Sequence, residues 1–495
     1  MLLHEVVEFA ARWTPDDPAL VFGDRRWTFG ELWADIWAMA EWLAERVEPG
    51  QRVSIVSDNR PEVVVAMYAV PMVGAIAMFA NTRLVPSEIV DLIRDVEPSL
   101  VLGSEEQLGR LEGLLPDLPL VSFPEVPVAG GSAGVRTGRD TPPWPVGPDD
   151  CAWIIHTSGT TGRPKGAMLT HRSLGAGVLA TALARPVGPE DVYLFPFPLF
   201  HVASYGVVHL HFRGRPVVLV PKFDAVDVMA GIQEHRVTTI SLAPTMISML
   251  LDHPDRASYD LSSLQNIFYG ASAIPLDVLR RGLEEFGCGF GQGYGMTELS
   301  GNAVFLGADA HRRAATTEPH LLAAAGKPGS LIALRLDDEG EIQVRGDQVI
   351  SSYWNRPVET ASAFTDDGWF RTGDIGRFDG EGYLYIVDRK KDIIVSGGEN
   401  VASLEVEDVL STHPGIASVA VVGVPDERWG ERVVAVAVAR AGVTLDPDEV
   451  VAWCDGRLAG FKRPRQVLVV DALPTNASGK VLKREVRDVA AEAFG

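Results

Sequence analysis

Cysteine is almost missing: Cys151, Cys288 and Cys454 are the only three in 495 residues. They stand far apart, outside any CxxC pair or His/Cys cluster, which excludes a disulfide framework and a structural zinc site. A reducing, cytoplasmic setting is expected. Long apolar runs are missing too. Val63 to Ala80 comes nearest to a membrane span, but Glu62 and Asn81 bracket it, and it is read as a buried helix followed by a strand. The opening MLLHEVVEFAARW carries acids and no basic n-region, so neither a signal peptide nor membrane insertion is expected. Basic charge is scarce, 44 Lys and Arg against 66 Asp and Glu, for a net −22. Such a surface repels nucleic acid but leaves room for an anionic nucleotide, because backbone dipoles and a few basic side chains dominate inside a cleft.

What is present is a soluble globular composition, 46% hydrophobic and 22% charged, in a chain long enough for two or more domains. Short β-rich runs recur between helical patterns: RVSIVS at 52, AIAMFA at 75, SLVLG at 99, CAWIIHT at 151, PVVLV at 216 and TTISLA at 238. That alternation predicts α/β architecture with parallel sheets. Pro124 to Pro148 is linker-like. Beyond about residue 325 the strands LIALRL, EIQVRG and GYLYIVD come closer together and read as antiparallel. Arg389-Lys390-Lys391-Asp392 forms a charged spacer. After it come the helix SLEVEDVLSTH, the strands ASVAVVGVP and RVVAVAVA, the helix PDEVVAWCDGRLAG and the strand QVLVV, an α+β unit of domain size.

The sharpest local feature is Thr157-Ser158-Gly159-Thr160-Thr161-Gly162-Arg163-Pro164-Lys165-Gly166, directly after a buried strand. Its glycines let the backbone close on a ligand, consecutive amides can form an anion nest, and four hydroxyls and Lys165 add donors. It is not a Walker A loop: counting from Gly159, Pro164 stands where glycine is required and Gly166 where Ser or Thr is.

This loop resembles the signature of the adenylate-forming superfamily, which includes acyl- and aryl-CoA synthetases, beetle luciferases and peptide-synthetase adenylation domains. Four more motifs follow in the family's order: Tyr294-Gly295-Met296-Thr297-Glu298, Phe370-Arg371-Thr372-Gly373-Asp374, Asp388 to Asp392 with Ser396-Gly397-Gly398-Glu399-Asn400, and Asn476-Ala477-Ser478-Gly479-Lys480. The chain looks closest to the acyl-CoA synthetases. The resemblance implies a large N-terminal domain of stacked mixed sheets with helices, residues 1–388, with a β-rich subdomain over about 325–388. It further implies a hinge at 389–391 and a small mobile C-terminal domain over 392–495.

It also implies the chemistry. ATP and Mg²⁺ convert a carboxylate to an acyl-adenylate, and coenzyme A then displaces AMP. An anionic nucleophile meets an anionic phosphate, so positive charge must offset the repulsion. By resemblance Lys480 supplies it. Taken alone, a lysine near a C-terminus is ordinarily a solvated surface charge. Thr297 would hold phosphate and Glu298 the metal, a hard carboxylate suiting a hard cation. Tyr294, Gly295, Gly270, Ala271 and Ser272 would flank the adenine. Asp374 would accept both ribose hydroxyls, with Arg389 supporting the sugar. Rotation about Lys391 would exchange Lys480 for Ser396, Gly397, Gly398 and Glu399, whose glycines leave room for a pantetheine arm.

His201 matches an aromatic gate of the acyl pocket and is counted with the catalytic residues; Val202, Tyr205, Gly270, Gly293 and Gly301 would line the same pocket. The three glycines suggest roominess, so an apolar acid of medium or large size is expected, with an aromatic acid second. No aspartate near His201 awaits an amino acid's ammonium, and Gly293 replaces the arginine of malonate-type relatives. The chain stops at Gly495 without a carrier domain, which favours coenzyme A. A separate acyl carrier protein, an acyl-adenylate-supplying partner enzyme, a luciferase-like oxygenase reaction and a homodimer stay open. Two departures from the pattern stand out. The hairpin before Glu341 is shorter than usual, and Thr475 takes a place where many relatives carry arginine. An enzyme impaired in adenylation, working mainly from preformed acyl-adenylate, is the alternative they raise.

Overall fold

The computed structural model describes residues 1–127, 143–157, 164–270, 274, 276–475 and 481–494. They form two compact units. The larger holds residues up to 270, 278–333 and 344–370, and the smaller holds 334–343 and the chain from 371 onward.

The larger unit contains two sheets. In one, the strands Leu120–Ser122, Leu100–Gly103, Arg52–Val56, Ile76–Phe79 and Cys151–Thr157 run parallel in that order, and Lys165–Thr170 closes the edge antiparallel. In the other, a nine-stranded sheet, the central strands Gly289–Met296, Asn266–Gly270, Thr239–Leu242, Tyr193–Phe195, Val217–Leu219 and Pro18–Phe22 are parallel neighbours. All six expected strands are present, and the α/β class holds. The apolar stretch from Val63 becomes the helix Pro61–Met72, buried on every side, then the strand Ile76–Phe79. A helix without a polar face belongs inside a large core. Among the described residues no helix is long and apolar enough to cross a membrane.

The smaller unit contains most of the antiparallel-rich sheet Ala333–Leu336, Glu341–Arg345, Phe370–Phe378 and Leu384–Arg389, and a five-stranded sheet around Gly430–Ala439. Alternation along that central strand serves two cores. Val433, Ala435 and Ala437 pack with the helix Ser403–Ser411, while Val434 and Val436 pack with Lys483–Phe494. The expected helix over PDEVVAWCDGRLAG stops at Trp453, and Gly456 beyond it takes a φ of 70°.

Packing divides the chain before Arg371 rather than after Asp388. Asp388 is buried and accepts from Ser403 N at 2.5 Å and Ser403 Oγ at 2.6 Å, which ties its strand to the helix that follows. A hinge at 389–391 concerns motion rather than packing and stays a proposal. The shortened hairpin is well formed: Asp337 accepts from Glu339 N and Glu341 N, and Gly340 takes the positive φ that closes the turn.

Candidate active site

Thr157 ends one strand and Lys165 begins the next, and the two are cross-strand partners. The strands on either side of the Gly-rich stretch thus pair antiparallel. Residues 352–354 lie along the second of these strands, through Met168 N to Ser352 O at 3.1 Å and Trp354 N to Gly166 O at 2.8 Å. This places Tyr353 beside Glu298. Thr157 Oγ1 donates to Glu298 Oε1 at 3.2 Å and the Tyr353 hydroxyl to the same oxygen at 3.0 Å. Glu298 Oε2 receives no hydrogen bond from a described residue. Burial, and then the Glu298 charge, push the Tyr353 phenol pKa up, so it remains a donor. The Lys165 ammonium lies 5.4 Å from the centroid of the Tyr353 ring. Glu298 belongs to the short helical turn Thr297–Leu299, pinned by Ile350 N to Glu298 O at 2.9 Å.

No group of three or more His, Cys, Asp or Glu able to hold a metal occurs among the described residues. A Mg²⁺ ion therefore fits here only as phosphate-bound Mg²⁺ usually does, on one carboxylate with its other ligands from phosphate and water. The open oxygen of Glu298 suits that arrangement.

His201 sits on a loop held by Asn59, whose side chain accepts from Leu199 N at 2.7 Å and donates to Phe197 O and Val220 O. Burial, with Arg83 nearby, lowers the His201 pKa to about 4. Its Nε2 is enclosed and has no partner among the described residues. The ring is neutral at pH 7, which suits a pocket wall and not a cationic catalyst.

The glycines expected to make room do not. A Cβ at Gly301 would meet the Tyr205 ring at 2.9 Å, one at Gly293 the Asn302 amide at 2.2 Å, and one at Gly270 the Gly293 carbonyl at 2.7 Å. They permit close approach, and their neighbours already fill the space. Glycine at every second position of Gly289–Met296 strips one face of that strand, and Asn266, Phe268 and Asn302 lean over it. Tyr294 lies on the same strand, half-buried.

In the smaller unit, Asp374 and Arg389 are cross-strand partners and pair at 2.9 Å, the aspartate buried and the arginine part-exposed. Buried Glu341 accepts from Gly373 N at 3.1 Å and from Lys390 Nζ at 3.2 Å. The hydrogen bond to Glu339 and burial's opposing effect leave the Lys390 pKa raised. Lys391 is exposed, in a turn closed by Asp392 N to Arg389 O. Ser396 and Glu399 flank a two-residue hairpin turn in which Gly397 and Gly398 have φ of 63° and 83°, the geometry that demands glycine. At Gly397 the supposed spare room is taken by the Trp429 ring, 2.9 Å from a Cβ.

The structure thus brings together Thr157, Lys165, Thr297 and Glu298 in one unit, and Asp374 with Arg389 in the other. Ser158, Gly159, Thr160, Thr161, Gly162, Ala271, Ser272 and Lys480 lie outside the described residues. Tyr353, Glu341 and Asn59 were missed. Their partners are 55, 32 and 140 residues away, and no local spacing announces such contacts.

Comparison with known proteins agrees with this geometry. The AMP-binding enzyme family model matches residues 7–354, and the AMP-binding enzyme C-terminal domain model matches 405–480. A feruloyl-CoA synthase from an Amycolatopsis species is 38% identical, with 96% of each chain covered. The o-succinylbenzoate coenzyme A synthetase of Bacillus subtilis, solved with ATP and magnesium, superposes with a TM-score of 0.84 at 31% identity over 98% of this chain and 99% of that one. ATP-bound MatB from Rhodopseudomonas palustris gives 0.89 at 28% identity over the whole of both chains. Matched along nearly its full length by sequence and by fold, the chain belongs to the AMP-binding enzyme family and stands close to its acyl-CoA synthetases.

Proposed function

We propose that this enzyme, an ATP-dependent, AMP-forming acid–thiol ligase, activates an apolar carboxylic acid as acyl-AMP and transfers the acyl group to coenzyme A. The observation that carries the reading is the state of Glu298. Two neutral hydroxyls fix one carboxylate oxygen and leave the other for a cation, next to a Gly-rich loop whose sequence offers amides and Lys165 to phosphates. Mg²⁺ bound there would neutralise phosphate charge. Thr297 would hold phosphate, Tyr294 would face the adenine, and Asp374, oriented by Arg389, would accept the ribose hydroxyls. His201, Val202 and Tyr205 would wall the acyl group. Lys480 would polarise the first half-reaction, and Ser396 to Glu399 would serve the second, exchanged by rotation about Lys391.

The test is a panel of acids assayed for pyrophosphate, AMP and acyl-CoA together, with synthetic acyl-AMP in parallel wells. Pyrophosphate release and thioester formation with an apolar acid are expected. Lys480→Ala should abolish acyl-AMP formation yet form thioester from supplied acyl-AMP. Thioester from acyl-AMP alone, with no pyrophosphate from any acid, would replace this reading with the single half-reaction.

A further inference from the structure

Among the described residues, Arg185 of the larger unit forms no ion pair although one of its nitrogens is enclosed. Arg185 follows the helix His171–Ala184 and reaches over the nine-stranded sheet, its guanidinium carbon 4.0 Å from the centroid of the Phe268 ring. Its Nε is enclosed and has no hydrogen-bond partner, and no ion pair forms to it among the described residues. The polar groups that face it are the phenols of Tyr205 and Tyr193 and the imidazole of His209. None is an anion at neutral pH: burial raises the Tyr193 pKa to about 12 and lowers that of His209 to about 3. His209 Nε2 is likewise enclosed, with no partner among the described residues. Guanidinium keeps its charge, and Arg185 as a whole is only part-buried, with Nε its one enclosed nitrogen, so the open edge of the guanidinium is left to an acceptor that comes to it.

The cation's position tells what that could be. Register pairs Ser241 with Phe268, Phe268 with Gly291 and Gly270 with Gly293, and side chains alternate along a strand. Phe268 and Gly270 therefore lie on one face, and so do Gly291 and Gly293. The Phe268 ring lies against bare Gly291, 2.7 Å from where a Cβ would be. Gly291, Phe268 and Arg185 thus form a stack one strand-repeat from the positions assigned to the acyl pocket. Tyr205, which faces Arg185, packs on Gly301 and receives a hydrogen bond from Thr181.

We propose that Arg185 is a specificity-determining residue of the acyl site and pairs with a hydrogen-bond-accepting oxygen, carboxylate or ketone, at the end of the acid remote from the reacting carboxyl group. The inference rests on the acyl-activating reading above and sharpens it. The substrate has an apolar body with an oxygen-bearing far end. The arginine absent at Gly293 is supplied by a different element of the fold.

Octanoate, 7-oxooctanoate and suberate share a chain length and differ only at the far end. Their binding to the full-length protein is measured by calorimetry without ATP, and their activation by pyrophosphate release. The wild type should prefer one oxygen-bearing acid over octanoate by about tenfold or more, the range of a charge-assisted hydrogen bond. Which acid leads identifies carboxylate or ketone. Arg185→Met should bring the ratio close to one, and Arg185→Lys, which keeps the cation, should retain part of it. Equal binding of all three acids by the wild type, or an unchanged ratio in Arg185→Met, overturns the proposal. Should Arg185→Met not fold, the wild-type ratio and Arg185→Lys decide. Discrimination in binding without pyrophosphate from any acid would uphold Arg185 and sink the acyl-activating reading. Pyrophosphate without discrimination would do the reverse.

Discussion

The two units bury their ionisable groups in opposite ways. The larger unit buries imidazoles and keeps them neutral: His4, His201, His211 and His311 have pKa values lowered to about 4, and His171 and His209 to about 3, with burial the leading cause throughout. Its site carboxylate, Glu298, is held by neutral hydroxyls. The smaller unit sets its carboxylates against cations, buried Asp374 with Arg389, buried Glu341 with Lys390 and part-buried Glu407 with Lys483. Its part-buried Glu407 is shifted the other way, raised by desolvation despite Lys483. The contrast teaches that a charge can be lodged inside a protein in two ways, by discarding a proton or by importing a partner, and acid acts oppositely on the two.

The largest expected effect tests that contrast directly. A histidine whose folded pKa is depressed contributes stability present above its unfolded value near 6.5 and lost as pH falls toward its folded value. Each such group gives up on the order of 1.4 kcal/mol per pH unit within that window. A raised carboxyl such as Glu407 contributes in the other sense, with its stability present at low pH and lost as pH rises. Calorimetry from pH 7 to 4.5 should therefore show the larger unit's transition falling steeply while the smaller unit's moves little. Tryptophan fluorescence can assign the transitions, since only Trp429 and Trp453 belong to the smaller unit. Coincident transitions at every pH would break the comparison.

Next in size is Glu298→Gln, which keeps the hydrogen-bonding shape and removes the charge offered to a cation. Pyrophosphate release should fall by about 10²–10³, with a higher magnesium requirement; a full rate at ordinary magnesium would remove Glu298 from the site. Asp374→Asn should cost less, about 10–10² in kcat/KM for ATP, because part-exposed Arg389 can turn to water. An effect as large as that of Glu298→Gln would mean that the two units do not differ in this respect. Smallest is Tyr353→Phe, which deletes one neutral donor worth about 1 kcal/mol. A roughly fivefold slowing, largely recovered at high magnesium, is expected in the same assay.

Much of this was legible in the chain. The six strand runs, the all-buried helix before residue 73 and the antiparallel change beyond 325 follow from periodicity, a backbone property that sequence records locally. The identities of Thr157, Glu298 and Asp374 came from motif resemblance. What could not be read was how partners distant in sequence complete them. Tyr353 reaches Glu298 only because it pairs with Ala167 on a strand 186 positions earlier, and Arg185 finds Phe268 only after helix and sheet have packed. The glycines misled for a related reason. A missing side chain looks like empty space in a sequence, whereas a folded interior closes such gaps from the neighbouring strand.

The bare face of Gly289–Met296 has a further consequence. A wall whose own surface is blank takes its texture from whatever leans on it, here Asn266, Phe268 and Asn302. The strand, which carries Tyr294 and leads into the turn of Thr297 and Glu298, can then keep its course while exchanges on the two adjoining strands change the surface beside it. On the function proposed above, residues that face the nucleotide and residues that shape the acid's surroundings would then be carried largely by different strands, so one set could be revised with little effect on the other.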